Sequence, residues 1–146
     1  MRCSPGSSAV KMVPDDGAVT QPVVLVVEDE MLVRVHMTEM LRQAGYAVLD
    51  AANADDAINI LEKRNDIRVV FTDVHMPGSM DGVRLAHHIA KKWPPVRLFV
   101  TSGHVNVAPS DLPEGAEFCA KPCPPDKITS VIESLLAERD TRQPLH

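Results

Sequence analysis

Glu28, Asp29, Asp73 and Lys121 are of types, and stand at places in the chain, that suit one reaction. Glu28 and Asp29 lie in Val-Val-Glu-Asp-Glu at 26–30, Asp73 in Phe-Thr-Asp-Val-His-Met-Pro at 71–77, and Lys121 in Ala-Lys-Pro at 120–122. Each string follows an apolar, β-forming run, which would put all four at the carboxyl ends of strands. In an open parallel sheet that edge is where ligands bind. Three carboxylates gathered there repel one another unless a divalent cation lies between them. A nearby lysine could then receive a further anion, and a phosphoryl group is the natural candidate.

The elements that must position these groups alternate along the chain. Val23–Val27 is a continuous apolar run, as expected of a strand covered on both faces. Met31–Ala44 carries apolar residues at 33, 37, 40, 41 and 44, a helical stripe that stops at Gly45. In that stripe Met31, Met37 and Met40 fit a core better than a cofactor box. Tyr46–Ala51 reads as a second strand, and Asn53 is placed to cap a helix over Ala54–Arg64 with Ala57, Ile58 and Leu61 inward. Arg68–Thr72 is the third strand, and Asp81 can cap Gly82–Trp93. Val96–Thr101 and Ala116–Ala120 are the fourth and fifth strands. A last helix follows Pro124 and Pro125, with Ile128, Val131, Ile132, Leu135 and Leu136 on one face. Strand–helix alternation with short loops predicts a parallel sheet layered by helices on both faces. One unit breaks the rhythm: Pro109 and Pro113 leave no room for a full helix between the fourth and fifth strands.

A chain of 146 residues can bury an ordinary core as one domain. Net charge is −5 with no basic run, which argues against a nucleic-acid surface. No apolar stretch reaches the roughly 18 residues of a membrane span, and the N-terminus has no signal-peptide pattern. Three scattered cysteines suggest ordinary thiols in a reducing cytoplasm, and Cys119 with Cys123 alone make a poor zinc site. Residues 1–21, rich in Pro, Gly, Ser and Asp, read as a disordered leader, 22–138 as the domain, and 139–146 as a polar tail. Only ten residues follow Leu136, so no DNA-binding output domain is expected after it.

From about Pro22 to Glu138 the chain resembles the receiver domains of two-component response regulators, and several spaced motifs carry the resemblance. It implies a flavodoxin-like, doubly wound five-stranded parallel sheet of order 2-1-3-4-5, here with a degenerate fourth helix. Asp73 matches the phosphoacceptor. Glu28 and Asp29 match the acidic pair that holds Mg²⁺, with Asp73 and the backbone carbonyl of His75 completing the protein ligands. Lys121 resembles the lysine that pairs with phosphoryl oxygens, and Lys-Pro in this family commonly contains a cis peptide. Ser102 matches the hydroxyl that bonds the phosphorylated form; Thr101 is the rival, but strand alternation is expected to turn it to the opposite face. Phe118 matches the aromatic of the switch, with a plain core aromatic as the other reading.

The resemblance implies a single-domain response regulator, a monomer or weak dimer in the cytoplasm. It would take its phosphoryl group from a sensor histidine kinase or histidine phosphotransfer protein, and would signal by protein contact or onward transfer. It would catalyse only its own phosphorylation and dephosphorylation. A receiver-like adaptor that never turns over is the alternative. An aspartate-nucleophile phosphatase fits less well, because the position two after Asp73, where such enzymes carry an acid, is His75. A nucleotide or flavin module on this fold needs a Gly-rich loop after the first strand, where Glu28-Asp29-Glu30 has the wrong charge. His75 and His104 could rim the pocket, while His87 and His88 read as surface residues. The loop Gly78–Gly82 looks one residue longer than the common form of the family.

Overall fold

The computed structural model describes residues 21–75, 80–103 and 107–142. Five apolar residues in a row leave neither face of a strand polar, and Val23–Val27 (β1) is accordingly the buried centre of the sheet. Met31–Gln43 (α1) ends at Gly45, whose φ of 105° lets the chain reverse into Ala47–Ala51 (β2). Ala54–Lys63 (α2) is capped as its sequence predicts, the Asn53 side chain accepting the Asp56 N–H at 2.8 Å. Ile67–Asp73 (β3) leads to Gly82–Lys92 (α3), capped by Asp81 on the Arg84 N–H at 3.0 Å. Arg97–Ser102 (β4), a single 3₁₀ turn at Pro109–Asp111, Glu117–Ala120 (β5) and Pro125–Arg142 (α4) complete the chain. The last helix runs on to Arg142, into the stretch read from sequence as tail.

All strand pairs are parallel, in the order β2-β1-β3-β4-β5. That is the flavodoxin-like order expected, with four full helices among the described residues and a 3₁₀ turn in the proline-bearing segment. The leader 1–20, the 76–79 part of the loop after β3, His104 and residues 143–146 lie outside the described residues.

Alternation along each strand builds two cores. Leu25, Val70, Leu85, Ile89 and Val100 pack on the side of α2 and α3. Val26, Phe71, Phe99, Ile128, Ile132 and Leu135 pack on the side of α1 and α4, where Phe71 and Phe99 stack at 4.7 Å. Each fully buried Leu or Ile there contributes about 1.5–3 kcal/mol, so the sheet edge that carries the acids rests on a rigid base.

Two expectations need correction. Met31 is 63% exposed together with Leu32 and Val35, because the first turn of α1 projects past the end of the sheet; only Met37 and Met40 join the core stripe. Cys119 and Cys123 are joined in a disulfide rather than standing as free thiols, since the bend after β5 turns the chain back upon itself.

Candidate functional site

The four groups converge because the ends of three strands, β1, β3 and β5, lie at one edge of the sheet. The Glu28 N–H donates to the Ala51 carbonyl at 3.0 Å, fixing the end of β1 against β2. Asp73 is the last residue of β3, and the N–H of Val74 donates to the Thr101 carbonyl at 2.9 Å, tying that end to β4. Lys121 directly follows β5, and its N–H donates to the Ser102 carbonyl at 2.9 Å. The peptide Lys121–Pro122 is cis, as the family resemblance implies. From this bend Lys121 Nζ donates to Asp73 Oδ2 at 3.0 Å.

Carboxylate oxygens of Glu28, Asp29 and Asp73 lie within 4.8 Å of one another. Glu28 and Asp73 are buried and Asp29 is exposed. Burial raises the Glu28 pKa above its ordinary 4.5, and the charge of Asp73 pushes it the same way; the Glu30 N–H, donating to Glu28 Oε2 at 3.1 Å, and Lys121 oppose the rise. The cluster thus carries more negative charge than its single lysine can neutralise. Its donors are all oxygens, a set that suits a hard divalent cation such as Mg²⁺ and not Zn²⁺. Glu28, Asp29 and Asp73 would hold such an ion, and it would supply the missing positive charge.

The His75 N–H approaches Asp73 Oδ1 at 3.3 Å and its side chain is exposed, so His75 stands at the rim. Phe118 is half-buried against the α2–α3 core. Ser102 is fully buried. Thr101, not Ser102, lines the cavity of about 510 Å³ that Glu28, Asp73 and Lys121 also border. Thr101 pairs with Asp73 and so lies on the strand face opposite to that of its neighbour Ser102, the alternation expected from sequence.

Two further residues shape the site and escaped the sequence reading. Arg34 donates from Nη1 to the Glu28 carbonyl at 2.8 Å and pairs through Nε with Asp50 at 3.3 Å, clamping the acidic loop to β2. Nothing in its spacing announces that reach. Gly82 opens α3 against the end of β3, its N–H donating to the Val74 carbonyl at 2.7 Å. A Cβ there would run into the Asp73 carbonyl. The Asp-Gly step at 81–82 was legible as a helix start, but not as a close approach of two backbones. His87 also has a role: its Nε2 lies 2.7 Å from the Asp111 carbonyl, joining α3 to the 3₁₀ turn.

Comparison with known proteins places this geometry. The family description "Response regulator receiver domain" matches residues 24–133. Sensor kinase CckA of Brucella abortus (strain 2308) is 32% identical over 121 residues, covering 80% of this chain. The chain spans 13% of that relative's length. A response regulator receiver domain protein of Clostridium thermocellum superposes with a TM-score of 0.76 at 26% identity, over 82% of this chain and 97% of that one. The receiver domain of hybrid histidine kinase CckA is 30% identical with a TM-score of 0.66, over 78% and 98% of the two chains.

Proposed function

The chain belongs to the response regulator receiver domain family, and on that premise we propose that it accepts a phosphoryl group on Asp73 in a Mg²⁺-dependent phosphorelay. The observation that carries this reading is the Asp73 carboxylate, held 3.0 Å from Lys121 and within 4.8 Å of two further acids. Phosphoryl transfer asks little covalent chemistry of a protein; positioning and charge neutralisation do most of the work. The donor is a phosphohistidine of a sensor kinase or phosphotransfer protein. An Asp73 oxygen attacks phosphorus, the P–N bond to imidazole breaks, and an acyl phosphate remains on Asp73. Lys121 leaves its carboxylate partner for the incoming phosphoryl oxygens. Glu28, Asp29 and Asp73, with the His75 carbonyl, would hold Mg²⁺, which would supply positive charge to offset that of the phosphoryl group. Hydrolysis of the acyl phosphate, catalysed by the same pocket, ends the signal.

Partner docking has a surface to use. Met31, Leu32 and Val35 are 63%, 78% and 54% exposed on the first turns of α1, directly after the acidic loop. An apolar patch beside the phosphoacceptor suits a donor protein that must bring its histidine to Asp73. No helix among the described residues is long and apolar enough to cross a membrane, in keeping with a domain that meets its donor in the cytoplasm. The signal leaves through Ser102 and Phe118, or by onward transfer.

A small acyl phosphate with Mg²⁺ tests the reading. Mass spectrometry should find one phosphoryl group on the wild type, and none on Asp73→Asn or after chelation. A labelled Asp73→Asn protein, or labelling indifferent to chelator, would overturn it. An adaptor that never turns over would leave the wild type unlabelled.

A further inference from the structure

We propose that Cys119 and Cys123 form a reversible dithiol–disulfide that sets the position of Lys121 and so the rate at which Asp73 is phosphorylated. Its effect on labelling rests on the phosphoacceptor reading above. Cys119 sits inside β5, in register with Thr101 of the cavity wall. Cys123 lines that cavity and precedes Pro124, whose carbonyl accepts the Ile128 N–H in the first turn of α4. Between the two cysteines lie only Ala120, Lys121 and Pro122. The bond therefore closes a ring whose middle residue is the lysine that reaches Asp73 at 3.0 Å.

A ring this short removes little entropy from the unfolded chain, so stapling the fold is not its main consequence. What it constrains is local. With the disulfide closed, the end of β5 and the start of α4 are tied on both sides of Lys121. With it open, the main-chain hydrogen bond from Lys121 to Ser102 and the pairing of Ala120 with Ser102 still hold the lysine's backbone on the β5 side, and the tie to Cys123 is lost. Both cysteines are half-buried, and Cys123 borders an open cavity, which gives reagents a path. In a reducing compartment a disulfide is usually transient and sensing rather than structural.

The oxidant is a low-molecular-weight disulfide of the glutathione class. One cysteine thiolate attacks it, forming a mixed disulfide and releasing one small thiol; the second cysteine thiolate then displaces the other. Two electrons pass to the reagent, and two protons leave the protein for the two small thiols. Excess small thiol reverses both steps.

The test uses the full chain carrying Cys3→Ser, which removes the third thiol, equilibrated in glutathione buffers of graded ratio. Thiol alkylation and mass spectrometry count free cysteines, and acyl phosphate labelling is timed on the same samples. The disulfide form should label at least about threefold faster, a modest share of the roughly hundredfold that a 1 Å misplacement can cost. Cys119→Ser/Cys123→Ser should match the reduced rate and ignore the buffer. Two free thiols in every buffer would overturn the proposal, as would oxidised and reduced rates that agree within about twofold. If neither state labels, the phosphoacceptor reading fails, and amide exchange at Lys121 decides the proposal. Slower exchange in the oxidised protein supports it, and equal exchange overturns it.

Discussion

Replacing Glu28 with glutamine should make the metal-free protein more stable and the metal-loaded protein less so. Glu28 is 7% exposed, and its carboxylate lies within 4.8 Å of those of Asp29 and Asp73. Two unit charges at that separation repel by about 3 kcal/mol at an effective dielectric constant of about 20. Burial adds to this cost, while Lys121 and the Glu30 N–H offset part of it; a net of about 1 kcal/mol, roughly a third of the bare repulsion, is the scale expected for the charged form. Glutamine keeps the shape and can still accept the Glu30 N–H. In chelator near neutral pH its melting temperature should rise by roughly 4 °C, the shift that about 1 kcal/mol produces in a domain of this size. With Mg²⁺ the order should invert, because the wild type gains about 2.7 kcal/mol at 100 times its dissociation constant and the variant has lost a ligand. The pH dependence has a definite sign. A carboxyl whose folded pKa is raised binds more protons folded than unfolded, so its contribution to stability falls as pH rises through the folded value. The two proteins should therefore converge below 4.5, the ordinary value, where Glu28 is protonated in both states. Differential scanning calorimetry in chelator and in Mg²⁺, at several pH values, measures all of this. A Glu28→Gln protein that melts several degrees below wild type in chelator would mean that the acid is a structural partner, and the charge-cluster reasoning would fail.

Gly82→Ala should destabilise the domain by about 1–3 kcal/mol, the usual cost of overpacking, because the new Cβ meets the Asp73 carbonyl. It should also slow labelling, and a thermal melt and labelling rate unchanged from wild type would refute the close approach. At the end of β4, Ser102→Ala and Thr101→Val separate two hydroxyl roles. Loss of the buried Ser102 hydroxyl should shorten the lifetime of the acyl phosphate, whereas Thr101→Val should alter labelling through the cavity wall with little effect on lifetime. Quenched time courses read both quantities, and the reverse pattern would move the phosphoryl contact to Thr101.

Much of the architecture was legible because it follows from local rules. Unbroken apolar runs mark buried parallel strands, Asn53 and Asp81 announce helix starts, and Pro109 with Pro113 forbid a helix. The acids and the lysine were legible because each stands at the end of such a run. What escaped the sequence depends on register and on bends, which no local pattern carries. That Thr101 also borders the acidic cavity depends on its pairing with Asp73 in the neighbouring strand, not on its place in β4 alone. The cysteine pair, Arg34 and Gly82 were missed because each acts on a segment that folding brings near.

The same register that pairs Thr101 with Asp73 supports the proposed route out of the pocket. Ser102 pairs with Ala120, and Val100 with Phe118, so Ser102 and Phe118 lie on one face of adjacent strands. That face carries the core in which Leu112 is buried and against which Val107 packs. These two residues flank the 3₁₀ turn that stands where receivers usually have a fourth helix. A pull on the Ser102 hydroxyl from Asp73 therefore has Phe118 as its neighbour, and Phe118 shares its core with the turn. Among the described residues, Asp111 and Leu112 donate back to Ala108 and Pro109, the Ala108 N–H donates to Asp111 Oδ2, and His87 Nε2 lies 2.7 Å from the Asp111 carbonyl. A single turn held by local bonds can shift at less cost than a full helix, which would have to move as a body. The two prolines that abolish the helix thus leave the proposed output face attached to the pocket, and make it easier to move.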